Sequence, residues 1–95
     1  MNLFMVHRIA LKALAQELPL SGAPDVLFLN AARHHLYAVI GDPGVIDVFD
    51  IDTMALLQTV PTEKGANTIA FDAARNKVYA FLPQTHRAAA FLDRN

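Results

Sequence analysis

A chain of 95 residues has room for one small domain, and its net charge of −1 supplies no field that would draw it to nucleic acid or anionic lipid. Hydrophobic residues reach 54% and charged ones only 18%. Yet the longest run free of Asp, Glu, Lys and Arg is the ten residues from Thr53 to Thr62, well short of the ~20 apolar residues of a spanning helix. There is no cysteine, which excludes disulfides, thiolate metal sites and cysteine nucleophiles.

The first seven residues, Met1 to His7, lack the charged flank, full-length apolar core and cleavage site of a secretory signal. Phe4 to Leu18 carries good helix formers in Lys12, Ala13, Leu14, Ala15, Gln16 and Glu17. Read alone, it fits a helix as well as strands. Its similarity to residues 48–62 favours two strands, Leu3 to Ile9 and Ala13 to Leu18. Short apolar runs then follow one another between turn residues. Leu27 to Leu29 is the first predicted strand and Leu36 to Ile40 the second. Gly41-Asp42-Pro43-Gly44 turns the chain into a third at Val45 to Phe49, and Asp50-Ile51-Asp52-Thr53 turns it again into a fourth, Leu56 to Val60, closed by Pro61. Beyond Glu63-Lys64-Gly65-Ala66 come Ile69 to Phe71, Val78 to Leu82 and Ala89 to Leu92.

Displaced by 42 residues, the sequence matches itself. Asn30-Ala31-Ala32-Arg33 falls on Asp72-Ala73-Ala74-Arg75, and Tyr37-Ala38 on Tyr79-Ala80. Val6, Ile9, Ala13, Leu14, Gln16 and Pro19 fall on the identical residues at 48, 51, 55, 56, 58 and 61. A period of about 40–50 residues marks propeller blades or helical arrays. Closely spaced turns and four short strands per unit favour the blade. The predicted class is therefore all-β, built of four-stranded antiparallel propeller blades. Residues 1–20 form half a blade, 23–62 a full one and 65–95 an unfinished one. At about two and a quarter repeats they make an incomplete ring.

In this layout the chain resembles the YVTN-type (YncE-like) β-propeller repeat proteins of bacteria. The likeness rests on Gly22-Ala23-Pro24-Asp25, Leu36-Tyr37-Ala38-Val39, Val45 to Asp50 with Thr53, and Gln58-Thr59-Val60-Pro61, with Gly65-Ala66-Asn67, Val78-Tyr79-Ala80-Phe81 and Ala89 to Asp93 in the second unit. Neither Tyr37 nor Tyr79 is followed by Val-Thr-Asn, which makes the chain a diverged relative. The resemblance implies a binding or structural module without catalysis, completed by further blades or by further copies of the chain. It is read as the C-terminal portion of a larger propeller, or as a unit that assembles with itself. Such relatives are commonly periplasmic or secreted, but the compartment stays open. Propellers that act as metal-dependent lactonases supply the alternative, in which Asp25, Asn67 and His86 would hold a metal or a sugar-like substrate. No cofactor is expected on the leading reading, and no nucleic-acid or membrane partner.

Candidate site residues gather in loops at one end of the strands. Asp25 and Asn67 occupy equivalent positions before the two first strands, Lys64 precedes Asn67, Asp42 lies in the second turn, and His86 follows Pro83-Gln84-Thr85. Together they either converge on a small ligand at a channel rim or serve their own turns, Asp25 and Asn67 by accepting backbone hydrogen bonds. His34 and His35 align with Asn76 and Lys77 and read as a solvated hairpin, unable to share one metal on a strand. His7 aligns with Phe49 and is expected to pack. Asp50 and Asp52 read as strand-end caps, whereas Asp47 interrupts an apolar strand and must find water, a channel or a partner. Nucleophile, phosphate-loop and zinc signatures are absent.

Overall fold

A computed structural model describes residues 16–94, without the side chains of Thr68 and Ile69. The strand expected at Leu3 to Ile9, most of the one at Ala13 to Leu18, and His7 lie outside the described residues; the described end of the second, Gln16 to Leu18, is a helical end and turn and not a strand. Within them the regular elements are seven strands: β1 Val26–Asn30, β2 His35–Ile40, β3 Val45–Asp50, β4 Ala55–Pro61, β5 Asn67–Asp72, β6 Lys77–Leu82 and β7 Arg87–Leu92. Each run predicted over 27–92 forms a strand, with ends moved by a residue or two. The strands make two antiparallel sheets, ordered β1-β2-β3-β4 and β5-β6-β7. Neither sheet closes on itself, and the two do not form a ring.

One turn design recurs. Five hairpin loops of four residues (31–34, 41–44, 51–54, 73–76 and 83–86) each end in a residue of left-handed backbone: His34 (φ 56°), Gly44 (103°), Met54 (61°), Asn76 (54°) and His86 (53°). Glycine and asparagine suit that conformation, whereas Met54 holds it against the crowding of its own Cβ. At three loops the residue that closes the preceding strand caps the turn. Asn30 Oδ1 accepts from the Arg33 amide at 3.3 Å. Asp50 Oδ1 accepts from Asp52 and Thr53 at 2.8 and 3.3 Å, and Asp72 Oδ1 from Ala74 and Arg75 at 3.1 and 3.3 Å. These short side chains satisfy amides that the tight turn leaves without a strand partner. Asp50 has the capping role expected of it. Asp52 instead meets His34 Nδ1 at 2.7 Å.

Alternation divides the first sheet into two apolar faces. Tyr37, Val39, Ile46 and Val48 point towards the second sheet and form a cluster with Val78, flanked by Phe28, Val60, Phe71 and Phe91. The Phe71 ring lies 5.5 Å from that of Tyr37 and 6.3 Å from that of Phe28, tilted against both. On the opposite face Leu36 and Phe49 gather with Leu18 and Ile51, edged by Leu20, Leu27, Leu29 and Met54. With both faces covered, every residue of β2 is buried, which accounts for the apolar run from Leu36 to Ile40. The second sheet is covered on one face only: Val78, Ala80 and Leu82 are buried while Lys77, Tyr79 and Phe81 are half exposed. β4 is exposed almost throughout, with Leu56 and Leu57 among the most exposed large hydrophobic residues.

Candidate functional site

At the end of the sheets where β2 turns into β3, four loops meet. Asp25 Oδ2 accepts the Gly41 amide at 2.7 Å, and the Asp25 amide donates to Val39 O at 2.8 Å. Gly41 O in turn accepts from Gly65 N at 2.6 Å, and Gly44 O from Thr62 N at 2.8 Å. The fit is tight enough that glycine is required at 44, where an added Cβ would stand 2.4 Å from the Glu63 carbonyl carbon. Glu63 carries the link onward to the last loop, accepting from Gln84 N at 3.0 Å and from Thr85 Oγ1 at 2.5 Å, with Arg87 Nη2 at 3.9 Å. Loops 41–44, 62–66 and 83–86 are thereby held together beside Asp25.

All five candidate residues belong to this end or border it. Asp25 has its carboxylate committed to the Gly41 turn. Asp42, Lys64 and His86 are exposed loop residues, and Asn67 opens β5 opposite Phe81. Among the described residues no hydrogen bond or ion pair joins any two of the five side chains, and no three His, Asp or Glu residues converge as metal ligands. Glu63, half hidden beside Lys64 in the loop before β5, ties two loops together, a role its place in the sequence did not indicate.

The opposite end of the sheet junction holds a buried polar cluster that the sequence did not announce. Asp93 Oδ2 accepts from the Tyr37 hydroxyl and lies 2.7 Å from His35 Nδ1. Asn30 Nδ2 donates to Tyr37 Oη and to Asn76 Oδ1, both at 3.0 Å, and the Asp93 amide donates to Asn76 O at 2.8 Å. Asn30, His35 and Tyr37 come from the first sheet, Asn76 and Asp93 from the second. The His35 and Asp93 side chains are only 7% and 5% exposed, which corrects the solvated hairpin expected of His35. Alignment with Lys77 suggested a surface position, but Asp93, 58 residues away, supplies the acceptor that lets the imidazole go under cover. Burial, followed by the bond to Asp93, raises the pKa of Tyr37 far above the ordinary phenol value.

This Asp–His–Tyr grouping has the residue types of an acid–base site but not the access. The adjoining cavity, bordered by Tyr37, Val48, Gln58, Phe91 and Asp93, has a volume of about 30 Å³, enough for a water or two and far below the ~300 Å³ at which ligand pockets begin. The cluster acts as a tie between sheets. A second buried carboxylate, Asp47, is wholly enclosed and accepts from Ser21 N at 2.8 Å, Ser21 Oγ at 2.9 Å and Thr59 Oγ1 at 2.8 Å. The partner it needs is thus the segment that leads into β1. Comparison with known protein families, with characterised proteins and with solved structures finds no match to this chain.

Proposed function

We propose that the two sheets are consecutive blades of a β-propeller of the YVTN type, and that the chain is a non-catalytic binding or structural module completed by further blades. The observation that carries this reading is the way the sheets stack. β2 and β3 begin at residues 35 and 45, and β6 and β7 at 77 and 87, the same 42-residue offset that relates the sequences. In this stack the face of the first sheet that carries Tyr37 and Val39 meets the face of the second that carries Val78 and Phe91. The counterparts of Tyr37 and Val39 in the second sheet are Tyr79 and Phe81, on the side left open. Stacking that always joins one kind of face to the other has no natural end, which suits a series of blades. The loop end gathered around Asp25 and Glu63 is where such a module would present its rim to a ligand.

The reading is tested by extending the chain in cis. Repeating residues 54–94 after Asn95 supplies a fourth strand beside β7 and one more sheet over Tyr79 and Phe81. Covering two aromatic side chains at roughly 1.5–3 kcal/mol each should raise the melting temperature by about 5 °C or more, in a single cooperative transition. An added segment that stays unfolded, or leaves the melting temperature unchanged, overturns the reading.

A further inference from the structure

We infer that the buried His35–Asp93 pair is an acid-sensitive latch between the two sheets, closed while Asp93 is ionised and opened when that carboxylate takes up a proton. The inference concerns the junction within the chain and stands apart from the blade reading.

The hydrogen bonds fix where the protons sit. The Arg33 amide donates to Asn30 Oδ1 at 3.3 Å, which turns the Asn30 amide nitrogen towards Tyr37 Oη and Asn76 Oδ1, each 3.0 Å away. Tyr37 Oη thus accepts from Asn30 and gives its own proton to Asp93 Oδ2. His35 Nδ1 approaches the same oxygen at 2.7 Å. A single oxygen that takes two donors is that of an ionised carboxyl, and the ring nitrogen beside it carries a proton. The His35 and Asp93 side chains are almost wholly buried, at 7% and 5% exposure, so these donors and not water compensate the charge.

Charge decides which direction of pH opens the latch. A neutral His35 still donates through Nδ1, and an imidazolium has its counter-charge in contact, so gain or loss of the second ring proton leaves the junction closed. Protonation of Asp93 does not. A pH low enough to protonate a carboxylate leaves an imidazole charged, and the imidazolium would be buried against a neutral acid. The surroundings push the same way. β1 brings no titratable group, while Arg33, which acts on the Tyr37 hydroxyl, and Lys77, opposite Leu92, are further positive charges. Asp50, opposite His35, is engaged in its own turn. Asp72, opposite Lys77, is engaged with Arg75, and Asp52 with His34, while Arg94 is exposed. Once open, the latch uncovers Tyr37, Val39, Ile46 and Val48 where they meet Val78. The first sheet keeps its other cover through Leu18, so the second sheet is the part released.

Tyr79→Phe leaves Tyr37 as the reporter of the junction, since the chain has two tyrosines and no tryptophan. In that background the near-ultraviolet circular dichroism of Tyr37 is expected to be lost on acidification before the far-ultraviolet signal of the strands. Loss of both together is plain acid unfolding and overturns the inference. Urea midpoints read from Tyr37 then identify the trigger. The background protein should not weaken from about pH 7 to about pH 5, and should weaken below about pH 4. Asp93→Asn keeps an acceptor without the charge and should weaken already between about pH 7 and about pH 5, because a proton gained by the imidazole then has no counter-charge. Combined with His35→Gln, which keeps a donor without the charge, it should lose that early fall and weaken less in acid than the background protein. Asp47 and the exposed His34–Asp52 pair titrate alike in all of these proteins and cancel in the differences. An Asp93→Asn midpoint that follows the background protein through the upper range sinks the latch, as does a background protein that loses no more in acid than the double variant. If Asp93→Asn fails to fold, His35→Gln alone takes its place and should lose less in acid than the background protein; an equal loss counts against the latch.

Discussion

The Tyr37 hydroxyl is buried in the junction between the sheets with a carboxylate oxygen as its acceptor, so its ionisation would place two negative charges against each other in a poorly solvated space. The phenol consequently stays protonated in the folded chain to higher pH than in the unfolded one, where it titrates near 10.0. Its contribution to stability is complete below that pH and is lost as pH rises further, because only the unfolded state then releases the proton. Urea midpoints measured from pH 8 upward should fall beyond about pH 10, and Tyr37→Phe should flatten that part of the curve. At neutral pH the same substitution should cost about 1–2 kcal/mol, for the Asn30 amide loses one acceptor and Asp93 one donor. Asp72 differs: Arg75 holds its carboxylate below the ordinary range, but both groups meet water and the pair adds little. None of the long-range polar partnerships was legible in the sequence. Turn capping by Asp50 was, since its acceptor and donors lie within three residues, whereas the Tyr37–Asp93 contact spans 56.

For strands and turns, local pattern carried most of the information. Alternating apolar runs bounded by Gly, Pro and Asp located β1 to β7, and the 42-residue match placed β5–β7 by reference to β1–β3. Loops equal in length hid differences in content. Nothing within the segment around Ser21 shows that it closes over Asp47, because neither residue needs the other by any local rule. The strand interior simply contains a carboxylate, and the chain that precedes β1 brings the amide and hydroxyl to satisfy it. Replacing Asp47 by Ala should leave the Ser21 amide and Thr59 hydroxyl without their acceptor and cost about 1–3 kcal/mol. Chemical denaturation would show the loss. Amide exchange at Ser21 should quicken more than at β2, and equal changes at both would mean that the carboxylate supports the sheet and not the segment.

Across the whole chain, cover is unequal. The first sheet has Leu18 and Leu20 on one side and the second sheet on the other, while β6 and β7 present Tyr79, Phe81 and Leu92 outward. Protection against amide exchange should therefore be highest in β2 and decline through β6 to β7. A flat profile would contradict this account of the cover. The same imbalance explains a composition of 54% hydrophobic residues without a membrane span: surface that would be core in a stack of sheets is carried here at its outer face. The candidate loop end was legible as a place, through the equivalence of Asp25 and Asn67, but its internal wiring through Glu63 needed coordinates.

Every strand in both sheets bonds only to strands adjacent to it in sequence, through loops of four residues. Such a chain can form each pairing as soon as the second strand of a hairpin leaves the ribosome, with little loop entropy to overcome. Sheet one is complete at Pro61, before any of β5 exists. Folding during synthesis can thus proceed from the N-terminal side without waiting for the C-terminus, and the exposed face of β6 and β7 is the surface finished last.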